Sequence, residues 1–431
     1  MFKIELVDRN GLTHYISYDP HTSTLYDENG VNLVQNIKEH NYEVATRVSP
    51  ENPGKKSKKL KKIKIQLGLG CNYSCSYCNQ QKEVKYSSKT NIRDAEIFMN
   101  NIDRWLEGEP DKIEFWGGEP LLYWNKVKFL LEKLSEKFPK TEFLITSNGS
   151  LITEEIIEYV QKYNIIFVIS HDGPGQHLRG PDPFEDKKQF NMINKLQKLR
   201  RGRMSFNAVL TPDNFDIEKI VEFFKKKFDD ENVSVNLVGI VYHTEGSKPF
   251  TKEQYDKLTN NVALAAMKPK ENILPVLNNA INSFVNSIAT QRPSSSLYQG
   301  CLMDKEDVIT VDLLGNVMTC QDTGDLGKHR IGNVQDFDNI KLNTAWHWSN
   351  RKECSECPVL QLCAGACMFM EGENWYHTCN NHYYYYIGIL GAAIYRMTGM
   401  VVSGVYGKIR RPDPEEYGIK EIDFTHTEMK D

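Results

Sequence analysis

The ten cysteines are spread so unevenly that they restrict what this chain can fold around. Three of them, Cys71, Cys75 and Cys78, fall within the stretch LGLGCNYSCSYCNQ (67–80). None follows until Cys301, and the rest stand at 320, 354, 357, 363, 367 and 379. The N-terminus, MFKIELVDRNG, carries charge where an export signal needs an apolar core, so a cytoplasmic setting with reduced thiols is expected. Thiols grouped in that setting point to a metal centre rather than to disulfides. The first group reads C-x3-C-x2-C. An apolar helical stripe would fit offsets of four and three, but Gly70, Asn72, Ser74 and Ser76 favour turns. Structural zinc takes four protein ligands, and no local fourth Cys or His is present. Three thiolates with one open position suit a cubic [4Fe–4S] cluster.

The rest of the chain must place those thiols. At 431 residues there is material for two or three domains. A net charge of -4 gives no pull toward nucleic acid or an anionic membrane, and neither partner is expected. Residues 1–62 read as a β-rich appendage (FKIELV, THYISY, TLYDENG) ending in the lysine run GKKSKKLKK, either a solvated linker or a guide for an acidic substrate segment. From 63 to 245 strand-like runs alternate with amphipathic helices: IKIQLGL, KIEFW, FLITS, IIFVIS, MSFNAVL and VSVNLVGIV (233–241). Six strands in that rhythm predict parallel βα units with their chemistry at the C-terminal strand ends. Residues 246–300 read as a helical linker, 301–395 as a cysteine-rich domain where metal stands in for an apolar core, and 396–431 as a tail. The most apolar run, YYYYIGILGAAIY (383–395), is too short to span a bilayer and predicts a buried helix.

CNYSCSYC resembles the cluster motif of the radical S-adenosylmethionine (SAM) enzymes. WGGEP (116–120), TSNGSL (146–151) and SHDGP (170–174) each close a predicted strand and resemble that family's SAM-contacting segments. The resemblance covers residues 63–245 and implies SAM contacts by Tyr77, Gly117, Gly118, Glu119, Pro120, Ser147, Asn148, Ser170 and Asp172. It also implies the chemistry. A reduced cluster on Cys71, Cys75 and Cys78 cleaves SAM to methionine and a 5′-deoxyadenosyl radical, which takes hydrogen from an unactivated C–H position.

The later cysteines read C-x13-G-x4-C (Cys301, Gly315, Cys320), then C-x2-C-x5-C-x3-C (Cys354, Cys357, Cys363, Cys367), then Cys379. With RIGNV (330–334), this resembles the SPASM domain, which carries two auxiliary clusters. Zinc ribbons would need two four-ligand sets, into which seven thiolates do not divide. The resemblance implies that Cys354, Cys357, Cys363 and Cys379 hold the distal cluster and that Cys301, Cys320 and Cys367 hold an inner one. A further cysteine for the inner set is missing, leaving a place for water, another side chain or a substrate thiolate. Asp322, in TCQDTG, is a candidate general base, although Gln321 occupies the place where sulfatase-oxidising relatives have their acid. His382 and the neighbouring tyrosines read as packing.

The expectation is an α/β fold: a partial (β/α)6 radical SAM barrel followed by a SPASM domain, with three [4Fe–4S] clusters and SAM. The implied substrate is a ribosomally made precursor peptide or protein, crosslinked (thioether, C–C or C–O) or oxidised, with flavodoxin or ferredoxin as reductant. Cofactor or small-molecule biosynthesis, formylglycine-forming sulfatase maturation and a non-catalytic zinc protein are the alternatives.

Overall fold

The chain opens as a meander because FKIELV and THYISYD alternate apolar and polar residues across short turns. In the computed structural model, which describes residues 1–200, 202–240, 248–269, 272–344 and 346–417, these are β1 (Phe2–Val7), β2 (Thr13–Asp19) and β3 (Thr24–Tyr26). Ile4, Leu6, Ile16 and Tyr18 form their buried face. The lysine run is not simply a solvated linker. Gly54–Lys55 forms β4, and Lys56 is half-buried, with Nζ donating to the carbonyls of Met303 (2.6 Å) and Lys305 (2.8 Å). Burial pushes the Lys56 ammonium down to about 8.

The predicted βα alternation is present. Strands β5 (Lys62–Gln66), β6 (Lys112–Trp116), β7 (Glu142–Ser147), β8 (Ile166–Ser170), β9 (Met204–Leu210) and β10 (Val235–Ile240) pair in parallel, in order. Val241, the last residue of the sixth predicted strand, lies outside the described residues, as does the expected boundary at 245. Helices α1 (Ile92–Asn101), α2 (Trp124–Lys137), α3 (Glu154–Lys162), α4 (Lys187–Leu199) and α5 (Ile217–Phe228) fill the crossovers. Their ends follow local chemistry. Thr153 caps α3 by accepting from Ile156 N, and Asp216 caps α5, whose last turn holds Lys225, Lys226 and Lys227 against the negative end of its dipole.

The sheet then runs across the boundary suggested at residue 300. After α6 (Lys252–Ala266) and α7 (Pro275–Ala289), strand β11 (Val308–Asp312) pairs in parallel with β5, Val308 opposite Lys62 through Asp312 opposite Gln66. Antiparallel β12 (Asn316–Met318) and β13 (Arg330–Asn333) complete an open nine-stranded sheet, order β10-β9-β8-β7-β6-β5-β11-β12-β13. Ile309, Val311 and Val317 therefore belong to the main apolar core. The early part of the cysteine-rich region is held by ordinary core packing rather than by metal alone.

Strand β14 (Lys341–Leu342) pairs with β4, and the short helices α8 (Lys352–Ser355) and α9 (Leu360–Cys363) carry cysteines. The run 383–395 lies within α10 (Gly372–Thr398), which starts earlier than predicted and ends at Gly399, where φ is +74°. It packs on α6 so closely that a Cβ on Gly388 would lie 2.6 Å from Thr259 O. Among the described residues no helix is long and apolar enough to cross a membrane. The expected tail returns as β15 (Val401–Tyr406), antiparallel to β1, giving a four-stranded sheet β15-β1-β2-β3. The remainder of the tail, 418–431, lies outside the described residues.

Candidate functional site

Two glycine-rich strand ends meet at the C-terminal edge of the parallel sheet. Gly118 N donates to Gly68 O (3.1 Å) and Glu119 N to Gly70 O (3.0 Å). A Cβ on Gly118 would stand 2.4 Å from the carbonyl oxygens of both Leu69 and Gly70, so only glycine permits this approach. Together LGLG and WGGEP wall a cleft of about 670 Å³. Cys71, Cys75 and Cys78 line it, with Tyr77, Gly117, Gly118, Glu119, Ser147, Asn148 and Ser170 of the expected SAM contacts. Pro120 and Asp172, also expected there, do not line the cleft. Pro120 is buried in the turn Pro120–Tyr123, and Asp172 is fully buried behind the wall.

Several lining groups are spent on shaping the cleft. Glu119 is 1% exposed; its Oε1 accepts from Leu121 N (2.9 Å) and Ser147 Oγ (2.8 Å), and Oε2 from Asn148 N (2.7 Å). It thus ties two strand ends together, and burial raises its pKa. Asn148 Nδ2 donates to Asn72 Oδ1 (2.8 Å), fixing the residue after Cys71. Tyr77 donates to Asp172 Oδ2, and Arg179 Nη1 donates to Tyr77 Oη (2.7 Å) and approaches Asp172 Oδ1 (3.5 Å). That trio clamps the cysteine loop to the end of β8.

Arg179, which also lines the cleft, was not legible in the sequence: a lone arginine has no spacing signal. Gln80 is a second such residue. Its Nε2 donates to Asp322 Oδ1 (2.9 Å), joining the first cysteine loop to the loop after Cys320. Asp322 Oδ2 accepts from Gln321 Nε2 (3.0 Å) and lies 3.6 Å from Cys320 Sγ; Lys64 Nζ donates to Gln321 Oε1 (2.7 Å). Burial pushes the Asp322 carboxyl up. The two loops also interlock through backbone. Leu326 N donates to Tyr86 O (2.8 Å), Ser88 N to Asp325 Oδ1 (2.7 Å), and a Cβ on Gly324 would lie 2.3 Å from Tyr86 O.

The later cysteines gather as two sets. Cys354, Cys357, Cys363 and Cys379 line one small cavity with Glu353, Trp375, Tyr383 and Arg411. Cys367 lies close enough to Cys301 and to Cys320 for the thiols to act on one another electrostatically. Among the described residues no three His, Cys, Asp or Glu side chains converge as ligands of a single ion. Burial pushes all ten thiols above their ordinary range. Thiols grouped in this way, with Cys354, Cys357 and Cys379 buried and Cys71 exposed, are a donor set suited to iron–sulfur clusters, whose binding would displace the protons. His382 is half-buried on α10, stacked beside Tyr386 (centroids 5.9 Å), as the packing reading expects.

Residues 65–244 match the Radical SAM superfamily model. The chain is 26% identical over 366 residues to the "Radical SAM cyclopropyl synthase TigE" of Paramaledivibacter caminithermalis, covering 79% of this chain and 73% of that protein. It is 24% identical over 331 residues to the "Cysteine-type anaerobic sulfatase-maturating enzyme" of Clostridium perfringens, 69% of this chain and 86% of that one. Among solved structures, "Native anSMEcpe with bound AdoMet" superposes with a TM-score of 0.56 at 20% identity, over 78% of this chain and 98% of that chain.

Proposed function

The chain carries a radical SAM domain, and as an enzyme of that superfamily we propose that it crosslinks or oxidises a ribosomally made precursor peptide or protein. The observation that carries this reading is the link between the strand-end cleft, which Gln80 lines, and the Cys320 loop, through the Gln80–Asp322 hydrogen bond. A substrate in the cleft would lie against the first three thiols, with the Cys320 loop joined to its wall through Gln80. Support comes from one sequence relative and one solved structure. One is named as maturing a sulfatase. The other is a solved fold relative described with bound AdoMet and the Cp18Cys peptide, at a TM-score of 0.55.

Cys71, Cys75 and Cys78 would hold a [4Fe–4S] cluster that, with SAM, supplies hydrogen-atom abstraction from an unactivated C–H position. Cys301, Cys320 and Cys367 would hold an inner cluster, and Cys354, Cys357, Cys363 and Cys379 a distal one, with flavodoxin or ferredoxin as electron donor. The chain's own residues do the positioning. Tyr77, Asp172 and Arg179 fix the cysteine loop, Arg179 sets a positive charge in the cleft, and Glu119 holds the strand ends that form its floor. The test is anaerobic incubation of reconstituted enzyme with the short precursor encoded beside it, deuterated at candidate positions. A mass change with deuterium in 5′-deoxyadenosine is expected; SAM turnover with the peptide unchanged would remove the peptide reading.

A second reading, side-chain oxidation of the sulfatase-maturing type, is favoured by Asp322. Although it is one residue later than the expected acid, the structure turns its carboxylate to Cys320 Sγ, and Gln321 supports it. In this reading Asp322 Oδ2 accepts the substrate proton. Asp322→Asn is expected to leave SAM cleavage intact and cut peptide turnover at least 10²-fold; equal turnover would dismiss the base.

A further inference from the structure

Two arginines stand beside the four-cysteine cavity, and among the described residues neither has a carboxylate partner. Arg351 is 4% exposed, its guanidinium 3.4 Å over the Trp375 ring. Its Nε donates to Trp346 O (3.1 Å), and Nη2 to the carbonyls of Cys367 (3.3 Å) and Met370 (2.6 Å). Arg411 comes from the returning C-terminal segment and lines the four-cysteine cavity, 4.0 Å over the Tyr383 ring. Its Nη2 donates to Asn380 Oδ1 (2.8 Å), and its guanidinium also faces the Cys379 thiol. Neighbouring basic residues do find carboxylates: Lys352 and Arg410 pair with Glu416, and Lys408 with Glu356.

A buried cation needs an opposite charge. The acidic groups acting on Arg351 are Cys354, Cys367 and Cys379, then Tyr417; those acting on Arg411 are Cys379, Cys357 and Tyr383. One carboxylate, Glu353, also lines the cavity and accepts from Tyr417 Oη (2.7 Å). Four thiolates around an oxidised [4Fe–4S] core are doubly negative overall, and one-electron reduction adds a further negative charge.

We propose that Arg351 and Arg411 are the counter-charges of the distal cluster, helping to retain it and raising its reduction potential. The proposal rests on the cluster reading above and deepens it. Arg411 would make the C-terminal segment part of the redox centre, although its residues come well after the last cysteine.

The test is an EPR-monitored redox titration of anaerobically reconstituted holoenzyme, comparing wild type with Arg411→Lys, Arg411→Met, Arg351→Lys and Arg351→Met. The methionine variants should lower one midpoint potential and leave the others in place. At fixed potential that cluster's reduced-to-oxidised ratio should fall about tenfold, equivalent to about 59 mV for one electron. The lysine variants should retain most of the wild-type value. A loss of about four irons per chain in the methionine variants but not in the lysine variants would also support the proposal. Lysine and methionine variants that match each other in potential and iron content would overturn it. If Cys71→Ala/Cys75→Ala/Cys78→Ala protein holds no iron–sulfur signal, the auxiliary-cluster reading itself fails, a result distinct from unmoved potentials.

Discussion

Gly118 shows how little freedom the cleft allows. A single methyl there would collide with two backbone carbonyls, and neither LGLG nor WGGEP can yield without moving a strand end. Gly118→Ala is expected to cost about 1–3 kcal/mol, seen as a lowered thermal midpoint, and to weaken SAM binding measured by calorimetry. Replacing Cys71, Cys75 and Cys78 together by Ala should abolish reductive SAM cleavage while the remaining iron–sulfur absorbance persists; retained cleavage would contradict the assignment of these residues. The grouping of the cysteines was legible in the sequence because it is carried by one residue type at short, regular spacing. Arg179, Gln80, Arg351 and Arg411 were not, because each acts through contacts between segments far apart in the chain.

Secondary-structure elements were legible where the signal is local. The six strands and intervening helices of the parallel sheet carry period-two or helical patterning, and the apolar 383–395 run did predict a helix. What escaped was pairing. Nothing in VITVD says that it lies beside KIKIQ, and nothing in VVSGVY says that it returns to FKIELV; both are long-range choices made by complementary buried faces. Strand β11 also supplies a pH handle. Asp312 is buried at its end, accepting from Leu314 N (2.9 Å), Asn316 N (2.8 Å) and Asn316 Nδ2 (2.9 Å). Burial, despite those bonds, pushes its carboxyl up to about 6. A folded value above the unfolded one favours the fold while the group is protonated. Its contribution is therefore complete below about pH 4 and lost as pH rises through 6, on the order of 2 kcal/mol. Asp312→Asn should flatten that part of the urea-denaturation pH profile; an unchanged profile would mean that Asp312 does not titrate there.

For the whole molecule, β1 and β15, far apart in sequence, form one sheet, and the segment after β15 continues to the four-cysteine cavity. Ending the chain after Gly399 removes β15 from β1 together with Arg410, Arg411 and Tyr417. Hydrogen exchange at Lys3–Val7 should then accelerate by at least tenfold, while amides of β6 to β8 keep their protection. Unaltered exchange in β1 would show that β15 contributes little to it.

The parallel pairing of β5 with β11 has a consequence for the gene. An exchange of coding sequence near codon 300 would set β5 beside another parent's β11, and a poor fit between them would bare a hydrogen-bonding edge prone to aggregation. Inheritance of the two halves is therefore expected to be joint, and libraries of chimeras crossed over there should yield soluble protein only when both parents' versions of these strands fit each other.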